Sequence, residues 1–276
     1  MTGRIVVGFD GSIPATAALD WAARRATELK IVHVDGLLAP ERGGVRPACE
    51  ELLAKAARRA VRHAPALTVT TQIAAGPTAR RLIEEAEHAD AIVIGGRGAG
   101  GFVGLALGSV ALAVAGHARG PVIVVRGVTP RRFGEIVVGI DGSPSSEAAL
   151  AYAFEEAELR GARVRAVHGW TLPMLSPYAI TYQGVMNSTF ATEARAAGEW
   201  LAPWRQKYPQ VELLESSVCA HPVAALAAAS ETADLLVVGS RGLGGFTSTV
   251  LGSVGHGALH HAHCPVAVVR SSEDHR

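Results

Sequence analysis

Lysine is almost missing from this chain. Of 276 residues only Lys30, Lys55 and Lys207 are lysine, and none follows a glycine. A Walker A loop, which needs a lysine beside its glycines to stabilise a transferring phosphate, is therefore excluded. Cysteine is equally scarce. Cys49, Cys219 and Cys264 are odd in number and widely spaced, so they make no disulfide framework and fit a reducing cytosol. Net charge is close to nil at +1, which removes any broad electrostatic case for nucleic acid or an anionic membrane surface. The residues Met1 to Ile5 enter an apolar strand at once, without the hydrophobic region or cleavage signature of a secretory signal. Gly98 to Gly116 carries no charge, but it holds six glycines and reads as a buried loop and helix rather than a membrane span. The expectation is a soluble, cytoplasmic protein that engages neither membrane nor nucleic acid.

What the chain has in quantity is glycine, 31 residues, and apolar side chains, 49% against 18% charged. That balance buries a core, and 276 residues suggest two domains. The glycines are not scattered. Gly95 to Ser109 reads GGRGAGGFVGLALGS and Gly239 to Ser253 reads GSRGLGGFTSTVLGS, each placing Gly, two residues, Gly, nine residues, Gly-Ser. Both follow an acidic residue and an apolar run, Asp90 to Ile94 and Asp234 to Val238, the pattern of a buried parallel strand.

The repeat extends along the whole chain. Arg4 to Phe9 predicts a first strand, ending at Asp10-Gly11-Ser12 with Pro14 opening a helix; Glu135 to Ile140, Asp141-Gly142-Ser143 and Pro144 repeat it. Second strands fall at Ile31 to Val34 and Arg165 to His168. The first half is shorter by four residues between its first helix and second strand, where the second half has Leu159-Arg160-Gly161-Ala162. Helices at 48–63 and 189–208, strands at 68–73 and 211–218, and helices after Pro77 and at Pro222 lead to the strands before each glycine loop. Each half closes with Pro-Val-x-Val-Val-Arg, at Pro121 and Pro265. Alternating strands and helices imply an α/β fold: two Rossmann-like, doubly wound domains, each a five-stranded parallel sheet with about four helices. The expected domains are 1–128 and 133–276.

In such a sheet, ligands sit outside the carboxyl ends of strands where the winding reverses. Asp10, the loop after the second strand and the Gly95 to Ser109 loop reach that edge; Asp141 and the Gly239 to Ser253 loop do so in the second half. A carboxylate beside a phosphate-shaped pocket accepts a ribose hydroxyl or helps hold Mg2+. Glycine N–H groups, the hydroxyls of Ser109 and Ser253 and the start of the next helix suit phosphate, and Arg97 and Arg241 stand inside the loops. The first turn is not a GxGxxG dinucleotide fingerprint, so the pattern points to nucleotide binding more than turnover. The plainer alternative is that the glycines merely permit close helix–strand packing.

Taken together, the two Asp-Gly-Ser turns, the two glycine loops and the two Pro-Val-x-Val-Val-Arg strands resemble the universal stress protein family, as a tandem pair spanning nearly the whole chain. Members with this glycine motif bind ATP. The resemblance implies ATP, with Mg2+ as companion ion, at Asp10, Gly11, Val32, His33, Gly95, Gly98, Gly108, Ser109 and Val110, and at Asp141, Gly142, Val167, His168, Gly239, Arg241, Gly242, Gly252, Ser253 and Val254. It puts the aspartates at the ribose and phosphates, the loops at the phosphates, and the backbone around Val32-His33 and Val167-His168 beside adenine. It further implies an internal pseudo-dimer of the halves through the last strand, a homodimer as a further option, and regulatory protein partners. The function so implied is that of an ATP-binding stress-response regulator with no catalytic residues. The rivals are a slow ATPase or nucleotidyl transferase on the same fold, and a non-binding scaffold. The four-residue shortening makes the first half the weaker candidate for adenine.

Other groups carry plainer expectations. His256, His260, His261 and His263 beside Cys264 read as residues favoured by a helix carboxyl end, not as metal ligands. Trp200 and Trp204 read as core or interface, and Trp170, Tyr178 and Tyr182 as local loop packing. Cys219 near His221 lacks a third group to orient a thiolate.

Overall fold

The structure, a computed structural model, describes residues 3–36, 46–98, 107–127, 132–171, 183–242 and 251–271. In chain order the elements are β1 (Arg4–Gly8), α1 (Ile13–Ala23), β2 (Glu28–Asp35), α2 (Arg46–His63), β3 (Thr68–Ala75), α3 (Thr78–Ala86), β4 (Ala91–Gly95), α4 (Ser109–His117) and β5 (Val122–Val125). Then follow β6 (Glu135–Gly139), α5 (Pro144–Arg160), β7 (Arg163–Trp170), α6 (Gln183–Lys207), β8 (Leu213–Cys219), α7 (Pro222–Ser230), β9 (Leu235–Gly239), α8 (Ser253–His261) and β10 (Val266–Val269). The chain divides into two compact units between residues 130 and 131, with Cys264–Arg270 grouped in the first.

In the first unit β3-β2-β1-β4-β5 lie side by side and parallel, and β10 runs antiparallel along β5. In the second, β9-β6-β7-β8 are parallel. The winding therefore reverses between β1 and β4, and between β6 and β9. The central strands explain their own position. β4 and β5 are buried at nearly every residue, as a strand covered by helices on both faces must be, whereas β3 (TVTTQIAA) is half-buried to exposed and sits at the edge. Ile5, Leu19, Ile92 and Ile123 fill the first core; Phe154, Leu201, Leu235 and Leu236 fill the second.

The acidic residue before each fourth strand has a local role. Asp90 accepts the Arg4 N–H at 2.8 Å, and Asp234 accepts those of Phe133 at 2.8 Å and Gly134 at 2.9 Å. Each ties the start of the first strand to its neighbour and satisfies backbone donors that the ladder leaves over.

The missing four residues are a net loss: the first helix is shorter by six and its exit is longer by two. α1 has 11 residues and ends at Arg24 without a left-handed cap, while α5 has 17 and stops at Gly161, φ +60°. The strands are unmoved by the loss, since Gly8 pairs with Val32 just as Gly139 pairs with Val167. β2 also starts at Glu28, three residues before the expected Ile31. Glu28 and Lys30 interrupt the apolar run that signals a strand, yet Glu28 is exposed and Lys30 reaches Glu85 at 2.5 Å, so neither leaves a charge buried alone.

Charge at the opposite, amino-terminal edge is reversed between units. Arg4 lies opposite Glu28 in the first, both exposed. Glu135 lies opposite Arg163 in the second, fully buried and paired with Arg163 at 2.7 Å and Arg165 at 3.0 Å. In the second unit α6 packs on α5 through stacked rings, Phe154 on Trp204 at 5.6 Å and on Tyr208 at 5.2 Å. Trp170 is buried, donates Nε1–H to Ser217 Oγ at 3.1 Å and meets Phe190 edge-on, so it is core; Tyr178 and Tyr182 lie outside the described residues. Among the described residues no helix is long and apolar enough to cross a membrane.

Candidate functional site

The site begins at a turn. After β1 the chain reverses through Asp10-Gly11-Ser12 with Gly11 at φ +81°, a left-handed conformation that glycine adopts without strain. Asp10 Oδ1 accepts the Ser12 N–H at 3.0 Å, and Ser12 Oγ accepts the Ala15 N–H at 3.2 Å, capping α1. The second unit repeats this at Gly142 (φ +77°), with Asp141 Oδ1 on the Ser143 N–H at 3.0 Å and Ser143 Oγ on the Ser146 N–H at 3.2 Å. One carboxylate oxygen is thus held by the turn, and the other points toward the glycine loop. A Cβ on Gly98 would lie 2.8 Å from Asp10 Oδ2, and one on Gly242 would lie 2.5 Å from Asp141 Oδ2.

The loop glycines divide by purpose. Gly95 and Gly239 are packing glycines: a Cβ would meet Ala15 N at 2.7 Å in one unit and the Ser145 carbonyl carbon at 2.8 Å in the other. Gly98 and Gly242 face the aspartates. Gly108 and Gly252 fold the loop back, donating N–H to Gly96 O at 2.8 Å and Ser240 O at 2.7 Å. α4 and α8 then begin at Ser109 and Ser253, both exposed, with a glycine as N-cap and no side-chain cap bond. A helix start without a side-chain cap presents N–H groups suited to an anion.

In the first unit these parts border a cavity of about 460 Å³ at the carboxyl ends of β1, β2 and β4, beside the winding reversal. Its wall includes Asp10, Val32, Gly95, Gly98, Gly108, Ser109 and Val110 of the residues expected from sequence. Gly11 serves the turn beside it. Strand alternation sends His33 to the other face, where Nδ1 lies 2.8 Å from Phe9 O; that nitrogen carries the proton and donates. His168 sits likewise 3.1 Å from Ile140 O, is buried, and also meets Glu193 Oε2 at 2.9 Å and the edge of Trp200. Val167 is buried in β7; Arg241 is half-buried and Val254 is in the first turn of α8.

Sequence reasoning missed part of the wall. Val34, Thr78, Leu82 and Leu107 line the cavity, beside Arg97, which the sequence had already placed inside the loop. Val34 was legible from alternation with Val32. Thr78 and Leu82, four apart on α3, were not, because they reach the site only through the sheet order. In the second unit the place of Val34 is taken by Gly169, on whose face the start of α7 sits: a Cβ there would fall 2.7 Å from Pro222 Cα. His221 caps α7, its Nδ1 accepting the Val223 N–H at 3.3 Å, which accounts for that histidine without a thiolate partner.

A model of the universal stress protein family matches residues 1–126 and again 132–270. The chain belongs to the universal stress protein family. As a tandem universal stress protein it is 35% identical to one from Mycobacterium tuberculosis, over 97% of each chain. It is 34% identical to one from Mycolicibacterium smegmatis, over 96% of each. A solved universal stress protein from Archaeoglobus fulgidus shares the fold, with a TM-score of 0.72 at 20% identity over 98% of this chain and 97% of that one.

Proposed function

We propose that this universal stress protein is a cytosolic ATP-binding regulator, with ATP occupancy setting the conformation it offers to protein partners. The observation that carries the reading is the first unit's cavity, where an aspartate, close-approach glycines and a helix start without a side-chain cap meet at a winding reversal. Val32 and Val34 offer an apolar wall to the base, Asp10 a carboxylate to the ribose, and Gly98, Gly108 and the start of α4 a set of donors to the phosphates. Asp10 also suits Mg2+ carried by the phosphates. Binding rather than turnover is the reading, since the chain places no lysine beside either loop. The second unit shares the turn and loop geometry and is proposed as a second site of the same kind, through Asp141, Gly242, Gly252 and Ser253.

The test is calorimetric titration with ATP and Mg2+ of the parent protein and of Gly98→Ala and Gly242→Ala. Each added methyl group displaces a carboxylate tip rather than backbone, so folding survives and affinity at the altered site falls by about tenfold or more. Absence of heat with the parent protein, or unchanged affinity in both variants, defeats the reading.

A further inference from the structure

Two helices carry one surface pattern with opposite charge. On α2, Arg58, Val61 and Arg62 are exposed, and their spacing of three and four residues sets them side by side on one face. On α5, Glu155, Glu158 and Leu159 are exposed at the same spacing. Among the described residues the exposed large apolar side chains are Ile13, Val61, Leu159 and Phe190, so two of them sit within these charged faces, Val61 at 41% and Leu159 at 53% exposure.

Neighbouring groups do not neutralise either face. On the basic side Asp20 is taken by Arg59 at 2.6 Å and 2.7 Å and lies 3.1 Å from His63 Nε2, and Glu51 pairs with Lys55. Among the described residues Arg58 and Arg62 enter no ion pair, and the exposed Arg24 adds a cation close to Asp20. On the acidic side Glu156 is buried on Arg160 and Glu158 accepts a hydrogen bond from Gln210, but among the described residues neither Glu155 nor Glu158 meets a base. Acids at the carboxyl end of a helix oppose its dipole, so the stability of α5 does not account for them. Each pattern is confined to one unit. Strand register equates Arg58 and Arg62 with Ala202 and Gln206, and the shared turn equates Glu155 with Arg24.

We propose that the Arg58, Val61 and Arg62 face of the first unit docks on the Glu155, Glu158 and Leu159 face of the second unit in another copy of this chain. Guanidinium forks meet carboxylates across the contact, and the two aliphatic side chains leave water against each other. A foreign acidic partner would account for the arginines, but not for a matching acidic face that carries its own exposed leucine. Each copy offers one face of each sign, so copies close as a pair through two such contacts or extend head to tail. Exposed ion pairs are weak and screened by salt, which sets the expected dissociation constant at roughly tens to hundreds of micromolar.

The experiment is sedimentation velocity of the full chain from about 10 μM to about 1 mM, at about 50 mM and about 500 mM salt. The expected result is a mass above that of one chain, rising with concentration at low salt, and association about tenfold weaker at high salt. Arg58→Glu with Arg62→Glu, and separately Glu155→Arg with Glu158→Arg, each weaken association by about thirtyfold or more. The chain carrying all four substitutions, in which the changes of net charge cancel, associates within about threefold of the parent. Val61→Ser and Leu159→Ser leave charge unaltered and each weaken association by about threefold. A thermal melt confirms that each variant is folded, and if a charge-reversed chain is not, the serine variants still read the contact. A single-chain mass at every concentration, or association that survives reversal of either face, overturns the inference. So does retention of a poly-glutamate peptide or a DNA oligonucleotide by a chain that stays single, lost in Arg58→Glu with Arg62→Glu, which would assign the basic face to a foreign polyanion.

Discussion

The two units share the turn, the loop glycines and the strand register, yet they close the wall beside their second strands differently. In the first, Val34 and Thr78 leave the wall standing off and a cavity opens between them and the loop. In the second, Gly169 lets the Pro222 backbone approach, and the turn glycine Gly142 is covered by Trp200, whose ring would lie 2.6 Å from an added Cβ. Leu52 covers the matching Gly11 at 3.0 Å. The lesson is that the loop motif specifies donors at one end of a site, whereas residues outside it shape the other end.

The sharpest way to probe the shared part is to fill its packing glycines. Gly95→Ala and Gly239→Ala each drive a methyl group into backbone, and each is expected to destabilise its own unit by about 3 kcal/mol, read by denaturant unfolding. Unequal losses would show that the units do not share this contact. The covers come next. Trp200→Ala is expected to cost about 2–3 kcal/mol and Leu52→Ala about 1–2 kcal/mol, since both are half-buried and the indole is larger.

Acid separates the units more gently. Burial raises the pKa of Asp20, but the Arg59 guanidinium, bonded at 2.6 Å and 2.7 Å, and the nearby His63 outweigh it and hold the carboxyl below its usual value. A depressed carboxylate contributes stability above its unfolded value, near pH 4, and loses it as pH falls through the folded value. Asp20→Asn should therefore cost about 1–2 kcal/mol at pH 7 and progressively less below about pH 4, by unfolding at both pH values. The corresponding place in α5 is Ala151, so this dependence belongs to the first unit. A cost that does not shrink in acid would remove the ion pair as its cause. The smallest effect concerns length. Inserting Leu-Arg-Gly-Ala after Arg24 is expected to change ATP affinity at the first site by less than about twofold, because β2 keeps its register on β1. A larger change would mean that the helix exit acts on the site.

Much of this was legible beforehand because the informative residues are local. Asp-Gly-Ser after an apolar run specifies a strand end, a left-handed turn and a helix cap within three residues, and it did so twice. The glycine loops were legible from spacing, though not the division between Gly95, which makes room for α1, and Gly98, which faces Asp10. That division depends on which residue stands opposite, and only the fold supplies it. α6 begins at Gln183 instead of Thr189 because Gly184, Asn187, Ser188 and Thr189 have weak helix propensity and conceal the start. His33 and His168 were placed correctly along their strands, but period two puts their rings on the face away from the neighbouring valines. Thr78 and Leu82 escaped because they come to the cavity from a helix that neighbours it in space and not in sequence.

The four residues absent from the first unit are a net figure, a helix cut back further and a connection let out to meet it. The first helix gives up six residues, which is not a whole number of turns, and the connection to the next strand takes two of them back, so the connection and not the helix period restores the approach to β2. Tandem copies are thus free to diverge in length where a helix and the connection after it can adjust together. The strand ends, which carry the recognition chemistry, have no such freedom and keep their spacing to the residue.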